Sequence, residues 1–177
     1  MRILISLVLL LTLGSCATLS EAECRAGEWG LVGYEDGAQG RLPEFIAQHR
    51  EACAEYGIAP DLDQYLAGRE RGLVQYCTPQ RAYDLGRQSR PVANVCPAAM
   101  SSQLDRANFR GRTYRHISDE IAELQRDLND YQRQRSRLDG TASGSDVIAR
   151  SLNGSVSAAR FRILQLRARR AQYATWR

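Results

Sequence analysis

Two matched series of apolar residues near the C-terminus constrain the fold of this chain more than any other feature. Between residues 117 and 138, apolar side chains recur at steps of three and four, and a similarly spaced series follows between residues 147 and 173. This spacing places apolar side chains along one face of an α-helix. The first series is Ile117, Ile121, Leu124, Leu128, Tyr131 and Leu138, and the second is Val147, Ile148, Leu152, Val156, Ala159, Ile163, Leu166 and Tyr173.

The small residues between the two series indicate a turn. If the chain folds back at Ala142, the two apolar faces meet, and Ile121 lies opposite Ile163. We therefore predict a long antiparallel, coiled-coil-like helical hairpin over residues 113–177, whose first helix begins near Ser101. A second chain could also cover such a seam, so a dimeric bundle is the competing arrangement.

The first sixteen residues have the pattern of a bacterial lipoprotein signal. A basic residue precedes an apolar run, residues 3–13, that is too short to span a bilayer as a permanent helix. Leu13-Gly14-Ser15-Cys16 then places a leucine three residues before a cysteine, with two small residues between them. We expect residues 1–15 to be removed and Cys16 to be acylated, with residues 16–23 as a tether. An ordinary signal peptide is the alternative interpretation.

Four cysteines remain for pairing once Cys16 is set aside. In an oxidising compartment this even number indicates two disulfides, for which three connectivities exist. We favour the sequential pairing, first with second and third with fourth, because its loops neither cross nor nest. A zinc site of four thiolates is the competing interpretation, but the spacing contains no C-x-x-C pair, so we expect no metal. The four residues are Cys24, Cys53, Cys77 and Cys96.

Glycines recur at helical spacing in the middle of the chain. Three lie between residues 30 and 37, and two more are Gly68 and Gly72. A glycine inside a helix costs about 1 kcal/mol relative to alanine, so these segments are either loops or helices whose glycine faces admit a neighbouring backbone. Thr78-Pro79 has the pattern of a helix N-terminus. We predict an all-α fold with short helices in a small disulfide-stapled domain, residues 24–112, ahead of the hairpin.

The positive charge of this chain is concentrated in the predicted hairpin. All 24 basic residues are arginines and the net charge is +4, yet no acidic residue follows Asp146. The antiparallel register brings arginines of both helices to the open end of the hairpin, where we expect an uncompensated basic cluster. Such a cluster is either a solvated face or a contact surface. The candidate contact patch consists of Arg110, Arg112, Arg115, Arg167, Arg169 and Arg170.

The glycine, tyrosine and cysteine residues before the hairpin form an ordered combination of motifs. They are Trp29…Gly33-x-x-Asp36-Gly37-x-x-Gly40, His49-x-x-x-Cys53, Gly57-x-x-Pro60-Asp61, Tyr65-x-x-Gly68-Arg69-x-x-Gly72-Leu73, Tyr76-Cys77 and Val95-Cys96-Pro97. Over residues 24 to about 115, this combination resembles a family of small bacterial lipoproteins catalogued as domain of unknown function 2799. The resemblance implies a signal-bearing, cysteine-paired envelope protein with no established activity. Ser89-Arg-Pro-Val92 departs from the glycine and aromatic residue expected there.

No group of residues has the pattern of a catalytic or cofactor site. His49 lies on the apolar side of its helix, which favours a core residue bonded to backbone or tyrosine, and the surroundings of His116 favour the surface. Glu28, Glu35 and Asp36 are candidates for a carboxylate pair, but nothing places them across a cleft. We expect Asp36 to bond instead to the backbone or to Arg41. The chain is therefore predicted to be no enzyme and to use no cofactor.

These patterns favour a non-enzymatic, membrane-anchored envelope lipoprotein that acts as a structural or protein-interaction module. Ala17 stands where an aspartate would favour the inner membrane, so we expect the outer membrane, facing the periplasm. The expected partners are the membrane, through acyl chains on Cys16, an envelope protein or anionic envelope component, and a second copy of the chain, but no nucleic acid. The alternative is an inhibitor of, or an enzyme acting in, cell-wall hydrolysis, with Glu28, Asp36 and His49 as its residues.

Overall fold

The structure is a computed structural model that describes residues 18–138 and 144–176. The predicted signal peptide, Cys16 and Ala142 lie outside these residues. All the regular secondary structure in the described part is helical, so the fold is all-α, as predicted. No helix in those two ranges is both long and apolar enough to cross a membrane. The chain divides into two compact units, with the boundary between Tyr76 and Cys77.

The described part of the first unit, residues 18–76, contains four α-helices and one turn of 3₁₀-helix. Ser20 caps the first helix, and its hydroxyl accepts a hydrogen bond from the backbone N–H of Glu23. The Cys24–Cys53 disulfide joins the first and third helices inside the apolar core, where both cysteines are buried. The helices are α1 (Glu21–Ala26), α2 (Trp29–Gln39), α3 (Ile46–Ala54) and α4 (Leu62–Tyr76), and the 3₁₀ turn is Pro43–Phe45.

Helices α2 and α4 touch along their glycine faces. A Cβ added at Gly33 would collide with the backbone carbonyl of Tyr65, and one at Gly72 would collide with that of Tyr34. Since α2 positions 33 and 37 meet α4 positions 65 and 69, the two helices run parallel. The glycine faces therefore admit a neighbouring backbone, as predicted, and the close approach brings Tyr65 into the core.

Three α-helices lie in the part of the second unit that the structure describes. Thr78 caps the first of them, accepting a hydrogen bond of 3.2 Å from the N–H of Arg81, and Pro79 follows as predicted. This helix packs on the next one through Gly86 and Gly111, where a Cβ would again meet backbone. The helices are α5 (Pro79–Arg87), α6 (Ser101–Ser136) and α7 (Ser145–Ala171), and Ala98–Met100 forms a 3₁₀ turn before α6.

Helices α6 and α7 pack together along their apolar faces, so the two faces cover each other within one chain. Ile117, Ile121, Ile163 and Leu166 form a buried cluster between them. Across the same seam, Arg162 donates a hydrogen bond of 2.8 Å to Glu120. The Cys77–Cys96 disulfide ties the start of α5 to the segment before α6. Both disulfides thus have the sequential connectivity.

The boundary between the units differs from the predicted domain boundary. We expected residues 24–112 to form one domain and residues 113–177 another, but the division falls at Tyr76. Residues 112 and 113 lie inside the continuous helix α6. Because α5 packs on the first part of α6 through their glycines, residues 77–112 belong with the hairpin. The predicted boundary followed from the positions of the cysteines, which do not indicate that glycines bring α5 and α6 together.

Candidate functional site

The six arginines of the predicted contact patch all lie on α6 and α7, but they differ in their contacts. Arg110 closes the end of α7: its Nε donates to the carbonyl oxygen of Thr175 at 2.8 Å, and its Nη2 donates to that of Gln172. Its guanidinium also lies 5.2 Å from the ring centroid of Tyr173. Carbonyls at a helix C-terminus carry partial negative charge, which a cation stabilises. Arg110 therefore fixes the C-terminal segment to α6.

Arg170 and Arg87 both contact the ring of Tyr114. Their guanidinium carbons lie 5.6 Å and 4.3 Å from its centroid, respectively. A cation over an aromatic face is worth about 0.5–1 kcal/mol at exposed sites. Arg87 comes from α5 and was absent from the predicted patch. The only sequence signal for Arg87 was its position one helical turn after Tyr83. Its guanidinium carbon lies 6.0 Å from the centroid of the Tyr83 ring.

Arg115 is paired within its own helix. Its Nε donates to the carboxylate of Asp119 at 2.8 Å, and about half of each side chain is exposed. An exposed pair at this spacing contributes about 0.3–0.5 kcal/mol. The charge of Arg115 is therefore compensated, in contrast to the expectation from the register.

Arg112, Arg167 and Arg169 remain as exposed cations of the patch, with no ion-pair partner among residues 18–138 and 144–176. Arg112 also lines an open groove of about 680 Å³. Phe109 stands at this groove with 63% of its surface exposed. The groove combines cations with exposed aromatic surface, which suits a ligand that carries both an anionic and an apolar part. Its lining is Asp105, Arg106, Phe109, Arg110, Arg112, Tyr173 and Trp176.

The first unit contains a buried polar cluster centred on Asp36. Oδ2 of Asp36 accepts a hydrogen bond of 2.8 Å from the hydroxyl of Tyr65 and lies 2.7 Å from Nε2 of His49. The second ring nitrogen of His49, Nδ1, is 2.9 Å from Oγ1 of Thr18. The cluster joins the segment before α1 to helices α2, α3 and α4.

These partners differ from the expected ones. We expected His49 to bond to backbone or tyrosine, and Asp36 to bond to backbone or Arg41. The carbonyl of Arg41 instead accepts hydrogen bonds from the buried guanidinium of Arg69, at 2.9 Å and 2.6 Å. Parallel packing of α2 and α4 brings Tyr65 to Asp36, a relationship between positions 29 residues apart that has no local sequence signal.

A hydroxyl, an imidazole and a carboxylate in series also occur in hydrolases, where the hydroxyl must meet the substrate beside oxyanion donors. Here the hydroxyl beside the imidazole is that of Thr18, which is half-buried, while Asp36 and His49 expose only 6% and 3% of their surface. The hydroxyl of Tyr65 bonds to the carboxylate of Asp36, and burial together with this bond raises the pKa of Tyr65. These groups stabilise the packing of the first unit. Glu28 is exposed at the residue before α2, so the structure brings together two of the three residues considered for cell-wall chemistry.

No candidate metal site is present in the described ranges. They contain no group of three or more histidine, cysteine, aspartate or glutamate side chains placed to hold an ion. The four cysteines considered as zinc ligands form the two disulfides.

The described residues define an all-α protein with two disulfide-bonded units, the second of which carries a helical hairpin. The model of the family described as Protein of unknown function (DUF2799) matches residues 28–113. The predicted resemblance to domain of unknown function 2799 is thereby confirmed. The matched segment includes the glycine contacts of both units and ends within α6, so most of the hairpin lies outside it. No curated protein and no solved structure matches the chain.

Proposed function

We propose that this protein is a non-enzymatic envelope lipoprotein, anchored through acyl chains on Cys16, that acts as a structural or protein-interaction module. The distribution of its five cysteines carries the proposal. Four of them form disulfides, which are typical of an oxidising compartment. The fifth, Cys16, ends the Leu13-Gly14-Ser15-Cys16 motif and is left for lipid attachment. With Ala17 next to it, the anchored chain faces the periplasm from the outer membrane.

The second unit supplies the interaction surface in this proposal. Its groove presents Phe109 and Arg112, and Arg167 and Arg169 are exposed on α7. The contacts of Arg110 with the end of α7, and those of Arg170 and Arg87 with Tyr114, hold the surrounding helices in place. A rigid surface of cations and aromatic rings favours binding because few side chains must be ordered when the partner arrives. The partner is an envelope protein or an anionic envelope component.

Metabolic labelling tests the anchor. We expect the full chain, expressed in a bacterial host with an alkyne-bearing fatty acid, to incorporate the label, and Cys16→Ser to lose it and leave the membrane fraction. Ser15→Ala is the matched control, because it keeps a small residue beside an intact Cys16. An unlabelled parent chain, or equal labelling of Cys16→Ser, would overturn the proposal.

Photocrosslinking in cells tests the interaction module. A photoreactive residue at Arg169 samples the patch, and one at Gln125, exposed on α6, samples a position away from it. We expect one dominant envelope protein to be captured from Arg169 and lost when Arg112 and Arg167 are changed to Glu. No specific product from either position would contradict an interaction role for the hairpin.

A further inference from the structure

Helix α7 carries apolar residues on two opposite faces. Its inner face packs against α6 through Ile163 and Leu166, and Leu152 is also buried. On the outer face, Phe161 and Leu164 expose 62% and 65% of their surface. A helix in a soluble hairpin normally presents polar residues on its outer face. The outer face of α7 therefore differs from the polar face expected of a helix that contacts only solvent there.

Small and apolar residues form an interrupted line along α7. The first step, from Val147 to Gly154, is seven residues, and the later steps up to Ala168 are three or four residues, over a length of about 30 Å. Exposed polar residues also lie on this face; they are Arg150, Ser157 and Gln165. At Gly154 on this line, the structure has no atom within 4 Å of an added Cβ, so the face is open there as well. We call this line the outer face; it consists of Val147, Gly154, Ala158, Phe161, Leu164 and Ala168.

Arginines flank the outer face on both sides. With about 100° between successive helical residues, Arg160 and Arg167 lie on one flank and Arg162 and Arg169 on the other. Arg162 is paired with Glu120 of α6, whereas the other three have no ion-pair partner among the residues that the structure describes. Acidic residues are absent from α7 after Asp146. An apolar line between two cationic flanks suits a partner that is both anionic and apolar.

Charge complementarity identifies the occupant as an anionic lipid surface. A symmetric contact with a second copy would place arginines against arginines, with no acid on either outer face to compensate them. A bilayer interface instead offers acyl chains to Phe161 and Leu164, and offers phosphates to long cationic side chains that reach outward on both flanks. We propose that the outer face of α7 binds anionic bilayers, as a second membrane contact that does not depend on acylation of Cys16.

Vesicle cosedimentation of the unacylated mature chain, residues 16–177 with Cys16→Ser, tests this proposal. We expect binding to vesicles of equal parts phosphatidylglycerol and phosphatidylcholine, weakening as salt increases, and much weaker binding to phosphatidylcholine alone. Phe161→Gln combined with Leu164→Gln should weaken binding by about tenfold or more. Arg160→Gln combined with Arg167→Gln should remove most of the preference for anionic vesicles. Glutamine is a good helix former, so circular dichroism should be unchanged.

Matched controls come from exposed positions elsewhere. Val74→Gln removes an apolar side chain on α4 that is 69% exposed, and Arg126→Gln removes an exposed cation on α6. Both should leave binding unchanged. Absence of binding by the parent, or equal effects of the control and outer-face variants, would overturn the proposal. A concentration-dependent dimer that Phe161→Gln dissociates, or binding to an acidic protein without binding to vesicles, would do the same. Since Cys16 is absent from this assay, its result is independent of the labelling experiment.

Discussion

The hydroxyl of Tyr65 donates a 2.8 Å hydrogen bond to Oδ2 of Asp36, and both residues are buried. The same oxygen lies 2.7 Å from Nε2 of His49. This relationship depends on the close contact of α2 and α4 at Gly33, where a side chain would meet the backbone of Tyr65. The glycine face and the polar cluster are therefore two parts of one packing arrangement.

Replacing Tyr65 with phenylalanine should lower the free energy of unfolding by about 1–3 kcal/mol. The substitution keeps the ring but removes the donor, and it leaves a buried carboxylate with one fewer hydrogen bond. Urea unfolding, followed by circular dichroism, measures the loss. Tyr34→Phe is the control, because Tyr34 is 38% exposed, and its effect should stay within about 0.5 kcal/mol. An equal effect of the two variants would contradict a stabilising role for the cluster.

Stability should also fall in alkali because of Tyr65. Burial, together with the bond to Asp36, raises the pKa of Tyr65 above its ordinary value of 10.0. The folded state thus keeps the proton at pH values where the unfolded chain releases it. The contribution is complete below pH 10.0 and is lost as the pH rises towards the higher pKa of the folded state.

This pH dependence of stability is tested by measuring the midpoint of urea unfolding below and above pH 10.0. The decline should be shallower in Tyr65→Phe than in the parent chain. Some decline should remain, because burial also raises the pKa of Tyr83, with the same sign of effect. If the unfolding midpoint declined equally with pH in the parent chain and in Tyr65→Phe, Tyr65 would not contribute to the decline.

Two glycine-to-alanine substitutions should have opposite effects. Gly33→Ala places a methyl group against the backbone of Tyr65 and should destabilise the first unit by about 2 kcal/mol or more. Gly154→Ala lies within α7 with open space around it and should stabilise the second unit by about 0.5–1 kcal/mol. Thermal unfolding compares them directly. A neutral result for Gly33→Ala would mean that α2 and α4 are not in close contact.

Substituting Arg110 should release the end of α7. Arg110→Gln removes the cation that binds the carbonyls of Gln172 and Thr175, and should cost about 1 kcal/mol. Arg112→Gln removes an exposed cation from the same helix and should change stability by less than about 0.5 kcal/mol. Hydrogen exchange of residues 171–176 should increase in the first variant and not in the second.

The local patterns of the sequence predicted the helices and several of their contacts. Steps of three and four residues indicated the hairpin, since the positions of side chains around a helix follow directly from their spacing. Thr78-Pro79 marked the start of α5 for a similarly local reason: the capping hydroxyl and the N–H that it accepts are three residues apart. The glycine faces were also recognisable, because helix-forming residues surround them.

The tertiary structure decided which of these faces meet. No spacing rule specified that α2 packs parallel to α4, or that α5 belongs with the hairpin and not with α1 to α4. The bonds from Asp36 to Tyr65 and from Arg110 to Thr175 join positions 29 and 65 residues apart. Helical periodicity describes each element by itself. The pairing of elements depends on the packing of the whole chain, and that packing determines which polar groups are buried together and which arginines remain exposed.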